Sequence, residues 1–303
     1  MIYFSCVSLG QSKYVESILC VMRAARFDYH VHESYSSDAR EAKVEDYIVA
    51  AENIGIEEIA FTTHEIFTGD FYDFGVLPHE IPAYIDNIHR QAETTSVRLK
   101  VGLEMDYFPE AERELEALID EYPFDFILGS THFVGKYDVG SARDTPPYFS
   151  GRRLTEAVSE YYSLWCKAVE SGLFDSMSHP DYWKRFLYLI RPHPPVFSEY
   201  GGALEAIDSL VSYGVGIEVN TSGLRHQHGV QYPIRDFLEA AFKAGLKTVT
   251  IGSDSHNPSQ LGFRLPDAVD MLKDVGFKRI STFTGRNNIS HPIELVVRTI
   301  KNQ

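Results

Sequence analysis

Residues 26–32 read Arg-Phe-Asp-Tyr-His-Val-His, a strand-like run that ends on His30 and His32. In an extended strand the i, i+2 spacing puts both imidazoles on one face, where both reach one cation. The pattern returns along the chain. Strand-like stretches at 26–30, 58–62, 99–104, 124–129, 174–178, 216–220 and 248–252 end on, or just before, a metal-binding residue type. In order these are His30 with His32, His64, Glu104, His132, His179, Asn220, and Asp254 with His256. Helical patterns lie between them at 44–54, 81–94, 110–121, 155–171, 200–213, 234–244 and 266–275, and a shorter strand pattern follows at 279–283. Strands alternating with helices of this length predict right-handed βαβ units and a parallel α/β sheet. Seven or eight such units in about 280 residues favour a closed TIM-like barrel over an open doubly wound sheet. In such a barrel the carboxyl ends of the strands share one rim, where active sites are built. Structural histidines scattered at random would not select that rim strand after strand.

Each residue type has a chemical reason to be there. Asp254 and His256 repeat the i, i+2 device and add an anionic oxygen, and Glu104 has two oxygens with which to bridge neighbouring ions. Mixed nitrogen and oxygen donors without cysteine suit zinc, iron or manganese held for catalysis rather than a structural zinc. Taken singly these residues are weak signals, because a strand histidine is often only hydrogen-bonded and a terminal glutamate only solvated. The metal reading rests on their shared rim. His79, His89, His193, His226, His228 and His291 have no such placement and read as loop or surface residues, with His226 and His228 near the mouth of the site. Tyr161, Tyr162 and Trp165 fall in a helical pattern and read as core.

Composition excludes several partners. The net charge of −15, from 28 Lys+Arg against 43 Asp+Glu, comes with no basic stripe and argues against long nucleic acid. Acidity leaves a small phosphorylated substrate open, since bound cations reverse the local field. Cys6, Cys20 and Cys166 show neither a disulfide framework nor zinc-finger spacing, which suits a cytoplasmic protein. No run of 18 apolar residues predicts a membrane helix. Residues 1–25 lack the basic start and unbroken apolar core of a signal peptide, since Gln11, Ser12 and Lys13 interrupt them. They read as a dispensable extension ahead of one domain at 26–303, with Met22 as a possible native start. Residues 140–151, rich in Pro, Ser and Gly, read as a loop over the site.

The motifs together resemble a known family. His30-Val31-His32 followed by Asp38, then FTTH (61–64), GLEMDY (102–107), GSTHF (129–133), SHPD (178–181) with KRF (184–186), VNTSGLR (219–225) and IGSDSH (251–256) resemble the PHP superfamily. Within it they are similar to the histidinol-phosphatase branch, from about residue 27 to the end. The resemblance implies a distorted seven-stranded (β/α) barrel carrying three divalent metal ions. One ion would take His30, His32, Glu104 and Asp254; a second would share Glu104 and add His132 and His179; a third would take Asp38, His64 and His256. Asp38 stands where close relatives carry histidine. Glu33 replaces a small hydroxyl residue and Thr63 an aspartate, changes that bear on how the ligands are oriented.

The implied activity is phosphate monoester hydrolysis, with L-histidinol phosphate, a step of histidine biosynthesis, as substrate. Asp254, His256 and Glu104 are the expected catalytic groups, and Arg225 the expected phosphate clamp, because a guanidinium offers forked donors. Lys184 and Arg185 are weaker phosphate candidates, and Glu65, Asp70 and Asp106 are candidates to receive the substrate ammonium. Two other readings compete: a phosphoesterase for another small ester or nucleotide, and a non-catalytic domain that keeps metal for stability. The amidohydrolase class also uses HxH on a barrel strand, but GSTHF and VNTSGLR fit it poorly.

Overall fold

A computed structural model of the chain describes residues 22–66 and 74–300. In chain order the elements are β1 (Met22–Ala25), β2 (Phe27–Val31), α1 (Val44–Ile54), β3 (Glu58–Glu65), α2 (Ile81–Ala92), β4 (Arg98–Asp106) and α3 (Glu112–Glu121). Next come β5 (Phe126–Ser130), β6 (Phe133–Val134), β7 (Tyr137–Asp138), α4 (Thr145–Phe149), α5 (Leu154–Glu170), β8 (Ser176–Met177) and α6 (Ala203–Tyr213). The chain finishes with β9 (Gly216–Asn220), α7 (Arg235–Ala244), β10 (Val249–Gly252), α8 (Leu265–Val275), β11 (Arg279–Thr284), β12 (Asn287–Pro292) and β13 (Val297–Ile300).

Seven strands make one parallel sheet in the order β10-β9-β8-β5-β4-β3-β2. Its two edges meet at a parallel bridge between Val31 and Ser255. There the His32 N–H donates to the Ser255 carbonyl at 2.8 Å and the Ser255 N–H to the His30 carbonyl at 3.2 Å. The expected seven-stranded barrel is therefore present, with a single bridge as its seam. Strands buried on both faces read as continuous apolar runs rather than alternating ones, and β3 is buried at all its positions. Helix α2 turns Ile81, Tyr84, Ile85 and Ile88 inward, an i, i+3, i+4, i+7 stripe. The Tyr84 hydroxyl lies within hydrogen-bond reach of the carbonyls of Phe61 at 3.0 Å and Gly102 at 2.8 Å, pinning the helix across β3 and β4. Tyr161, Tyr162 and Trp165 of α5 are fully buried in the core, as their helical spacing implied.

Three sequence expectations are corrected, and one expected strand is present but lies outside the barrel. The strand at 174–178 is reduced to Ser176–Met177, because the Asp175 carboxylate takes the Ile127 N–H at 2.8 Å. The stretch at 279–283 does not enter the barrel and pairs antiparallel with β12; the Ser255 bridge has already closed the seam. Residues 140–151 are not all loop, since Thr145–Phe149 form α4, with prolines where a first turn tolerates them. Lastly, Met22–Ala25 belong to the fold: β1 pairs antiparallel with β13, and Arg23 makes a two-pronged ion pair with Asp270 at 2.6 and 2.8 Å. Residues 1–21, with Cys6 and Cys20, lie outside the described residues. Among the described residues no helix is long and apolar enough to cross a membrane.

Candidate metal centre

Register builds the site. β3 and β4 pair so that His64 lies beside Glu104, β4 and β5 so that Asp106 lies beside Ser130, and β9 and β10 so that Asn220 lies beside Gly252. Every strand thus presents its polar end residues at one rim. Glu104 is the hub. Its Oε2 stands 3.1 Å from His30 Nε2, 3.4 Å from His32 Nε2 and 3.1 Å from His64 Nδ1. Its Oε1 stands 2.8 Å from His179 Nε2 and 3.7 Å from His132 Nε2. Asp254 Oδ1 lies 3.4 Å from His32 Nε2 and 3.8 Å from His30 Nε2. Asp38 Oδ2 lies 3.0 Å from His256 Nε2 and 3.7 Å from His64 Nε2. All nine residues expected as ligands converge on this one cluster.

The outward ring nitrogens show how the rings are set. His30 Nδ1 faces Glu218 Oε1 at 2.8 Å and His132 Nδ1 faces Asp106 Oδ2 at 2.8 Å. A carboxylate only accepts, so a neutral ring there carries its proton on Nδ1 and turns the Nε2 lone pair inward. His32 Nδ1 meets Ser36 Oγ at 3.2 Å, His179 Nδ1 meets Ser178 Oγ at 3.2 Å and His256 Nδ1 meets the Asp254 carbonyl at 3.1 Å. Inward, His30 Nε2 is 3.0 Å from His32 Nε2, and His132 Nε2 is 3.2 Å from His179 Nε2. Imidazole lone pairs and carboxylate oxygens brought this close repel one another unless cations stand among them. The donor set, nitrogen and oxygen with no sulfur, fits zinc, iron or manganese. The inward atoms fall into overlapping groups, His30–His32–Glu104, Glu104–His132–His179, His30–His179–Asp254 and His32–His64–His256.

Burial acts against a charged ring, yet the surrounding carboxylates push His30 well above, and His64 and His132 above, the ordinary imidazole value, so the rings and acids of the cluster favour each other's charged forms. Burial acts to raise the Glu104 carboxyl, but His30 and His132 beside it outweigh that and hold it well below the usual carboxylate range. Asp254 is held low in the same way by His30, His32 and His256. His32 is pushed well down by burial and by the neighbouring His256 and His64, which favours the neutral form a ligand needs.

Several orienting residues were not singled out from sequence. Glu218 holds His30 and also accepts the His179 N–H at 3.0 Å. Asp28, two residues before His30 on the same strand face, accepts from Ser253 N at 2.9 Å and Gly262 N at 2.9 Å, fixing the loop that carries Asp254 and His256. The available signal was the alternation itself: Asp28, His30 and His32, and Glu218 and Asn220, share parity on otherwise apolar strands. Asp106, expected as a substrate contact, is instead taken up by His132. Where Glu33 and Thr63 depart from the family pattern, Ser36 supplies the missing hydroxyl: its Oγ meets His32 Nδ1 and lies 2.6 Å from Thr63 Oγ1.

Gly252 is needed for this packing. A Cβ there would lie 2.1 Å from Glu218 Oε1 and 2.4 Å from His30 Cβ. Gly252→Ala is expected to cost about 1–3 kcal/mol of stability, the usual range for overpacking, and to weaken metal binding by displacing His30. Chemical denaturation and metal titration check both.

A cavity of about 640 Å³ opens over the cluster, lined by Asp38, Glu104, Asp254, His256, Arg185 and Arg225 among others. Arg225 gives two of its donors away, Nη1 to the Ser253 carbonyl at 2.9 Å and Nη2 to the Asp254 carbonyl at 2.7 Å. It thereby braces Asp254, whose φ of 54° is the left-handed conformation that non-glycine residues rarely adopt. Arg185 donates from Nη1 to Tyr182 Oη at 2.5 Å and its Nε has no hydrogen-bond partner among the described residues, so it keeps more donors for a ligand than Arg225 does. Lys184 does not line the cavity and is corrected as a phosphate candidate. Its buried ammonium is spent on Asp181 Oδ2 at 2.5 Å and the Gln231 carbonyl at 2.7 Å, under the Tyr232 ring. His226 reaches the lining and His228 does not. Glu65 is buried away from the lining, and Asp70 lies outside the described residues.

Comparison with known proteins agrees with this geometry. The PHP domain family model matches residues 28–222. A probable histidinol-phosphatase of Deinococcus radiodurans is 32% identical over 258 residues, 84% of this chain and 95% of that protein. The histidinol-phosphatase of Lactococcus lactis subsp. lactis is 30% identical over 268 residues, 86% of this chain and 95% of that protein. A crystal structure of histidinol phosphate phosphatase from Lactococcus lactis, complexed with zinc, L-histidinol and phosphate, superposes with a TM-score of 0.75 at 26% identity. It covers 88% of this chain and 99% of that one.

Proposed function

The chain belongs to the PHP domain family, and from that membership we propose that it hydrolyses L-histidinol phosphate to L-histidinol and inorganic phosphate. The observation that carries the proposal is the rim itself: inward-facing imidazole lone pairs and ionised carboxylates with an arginine, Arg185, facing the same cavity. This is a metal-dependent phosphoric monoester hydrolase, and its substrate is a small phosphorylated molecule. We assign three divalent ions, one to His30, His32, Glu104 and Asp254, one to Glu104, His132 and His179, and one to Asp38, His64 and His256. When bound, such ions polarise phosphoryl oxygens and lower the pKa of water.

The protein groups then have distinct tasks. Glu104 ties the two halves of the cluster together through its two oxygens. Arg185 takes the phosphoryl oxygens with its remaining donors, neutralising the charge that spreads over them in the transition state. Arg225 holds the Asp254 backbone and presents its own charge to the same cavity. Asp254 is kept ionised by His30, His32 and His256, so it accepts a hydrogen bond from the water that attacks phosphorus in line and passes that water's proton to the leaving alkoxide oxygen as the ester P–O bond breaks. His256 stands beside it, with Nδ1 3.4 Å from Asp254 Oδ1, to share that charge. A biosynthetic step of this kind belongs in the cytoplasm.

The test is phosphate release from L-histidinol phosphate by manganese-, iron- or zinc-loaded protein, run beside nucleotides and sugar phosphates. Preference for L-histidinol phosphate is expected, and Arg185→Ala should lower kcat/KM about a hundredfold, the scale of a lost charge-assisted contact. Preference for a nucleotide or sugar phosphate would replace the substrate and keep the reaction class. Metal-loaded protein that turns over no ester would leave a non-catalytic metal domain.

A further inference from the structure

We propose that Asp138 receives the substrate's ammonium group and thereby selects amino-bearing phosphate esters over neutral ones, an inference that rests on the substrate reading above. An ammonium beside a phosphate ester needs an anion that the metal centre has not already claimed. Among the described residues four carboxylates line the cavity: Asp38, Glu104, Asp254 and Asp138. The first three face the imidazoles of the cluster. Asp138 faces none of them within ion-pairing distance, which leaves it as the carboxylate with capacity to spare.

Its setting is that of a positioned group rather than a surface acid. Asp138 ends the short hairpin of β6 and β7, where it pairs with Phe133, the residue after His132. One carboxylate oxygen, Oδ1, accepts the Gly140 N–H at 3.0 Å, and the backbone N–H of Asp138 donates to Asp144 Oδ2 at 3.2 Å. The Val139 N–H donates to the His132 carbonyl at 2.9 Å, so the hairpin is tied directly to a ligand-bearing segment. Gly140 itself packs so tightly on Tyr182 that a Cβ would fall 1.7 Å from the ring, which holds this turn against the cavity wall. The second oxygen, Oδ2, has no hydrogen-bond partner among the described residues. The remaining lining includes apolar Ile66, Phe74, Phe133 and Phe186, which offer area to a ring but nothing to a cation's charge beyond weak ring contact. In L-histidinol phosphate the amine stands on the carbon next to the phosphorylated one, so its acceptor has to lie close to the metal centre, and the tie from Val139 to His132 keeps Asp138 there.

The proposal is tested with the metal-loaded wild type and Asp138→Asn on two esters, L-histidinol phosphate and its deamino analogue, 3-(imidazol-4-yl)propyl phosphate. Asparagine keeps an acceptor for the Gly140 N–H, and a melting curve with metal analysis shows whether fold and site are intact. The wild type should prefer the amino ester. In Asp138→Asn the ratio of kcat/KM for amino over deamino ester should fall about 10- to 100-fold, carried mainly by KM, the scale of one lost charge-assisted hydrogen bond. An unchanged ratio in the variant, with the wild-type preference in place, would overturn the role of Asp138 and leave the substrate assignment standing. Equal loss on both esters would also overturn it and make Asp138 a structural residue. If the wild type hydrolyses both esters equally well, the ammonium goes unrecognised and this inference is overturned, whereas a wild type that turns over neither ester fails the substrate reading itself. Should the variant misfold, Asp138→Glu, which keeps the charge, supplies the second arm: retained selectivity supports the proposal, and selectivity lost with metal content intact overturns it.

Discussion

Glu104→Gln is expected to lower kcat/KM about a thousandfold and to reduce the metal that the protein retains through dialysis. The two oxygens of Glu104 face opposite halves of the cluster, one toward His30, His32 and His64 and the other toward His132 and His179. Glutamine has nearly the same shape but one acceptor instead of two, and it turns an N–H₂ toward imidazole lone pairs and cations. Ser130, whose Oγ donates to Glu104 Oε1 at 2.6 Å, can hold the amide oxygen in place and so decides which half loses its ligand. Lewis-acid stabilisation of the transition state is worth several kcal/mol, and about 4 kcal/mol corresponds to about a thousandfold in rate. Steady-state kinetics and metal stoichiometry on the same preparation test this. A variant with full metal content and more than a tenth of the activity would remove Glu104 from its bridging role.

The second large effect is on stability. Lys184→Met is expected to cost about 3–5 kcal/mol, the range found when one partner of a buried ion pair is removed. Lys184 and Asp181 are both buried, and Asp181 Oδ2 also accepts from Tyr200 Oη at 2.9 Å and from the Ile234 N–H at 3.0 Å. The pair therefore joins three segments: the one leading to Arg185, the one holding Tyr200, and the return from the Arg225 loop. Methionine fills the lysine volume but leaves the Asp181 carboxylate without its counter-charge. Asp181→Asn combined with Lys184→Met should recover more than half of the loss, because the unpaired charge is gone. Urea denaturation of the wild type, both single variants and the double variant measures this, and a fully additive double variant would show that the two residues do not act as a pair. The pH dependence has a defined sign. Burial, partly offset by Asp181, pushes the Lys184 ammonium down to about 8 from its ordinary 10.5. Between those values the unfolded chain keeps a proton that the folded chain has released, so the contribution of this group to stability rises with pH across that window. Lys184→Met should lack that rise.

Much of the site was legible because its signals are local. A strand shows itself by a short apolar run, and a candidate ligand at its end is a residue type at a fixed offset, so eight of the nine candidate positions stood out at strand ends, whereas Asp38 and the count of seven strands came from the resemblance to the PHP family. The four residues of β1 were missed as part of the fold because their partner, β13, lies at the other end of the chain and no local pattern announces the pairing. Glu218 was missed for a related reason: it meets His30 across 188 positions of sequence, and its role appears only when two strands lie in register.

Beyond the strand ends the direction of a side chain depends on the path of the loop that carries it, and periodicity does not record that path. Lys184 and Arg185 are neighbours in sequence, yet one is buried in a salt bridge and the other lines the cavity. Asp106 and Asp138 are both acids close to the same site, yet one is consumed in orienting His132 and the other lines the cavity with a single hydrogen bond, from the Gly140 N–H, to its carboxylate among the described residues. The residue types, their order and the rim they share were determined by the amino-acid sequence. Which of the charges were spent on the protein itself, and which were left for a substrate, was decided by tertiary packing, because only the closed barrel determines which groups meet first.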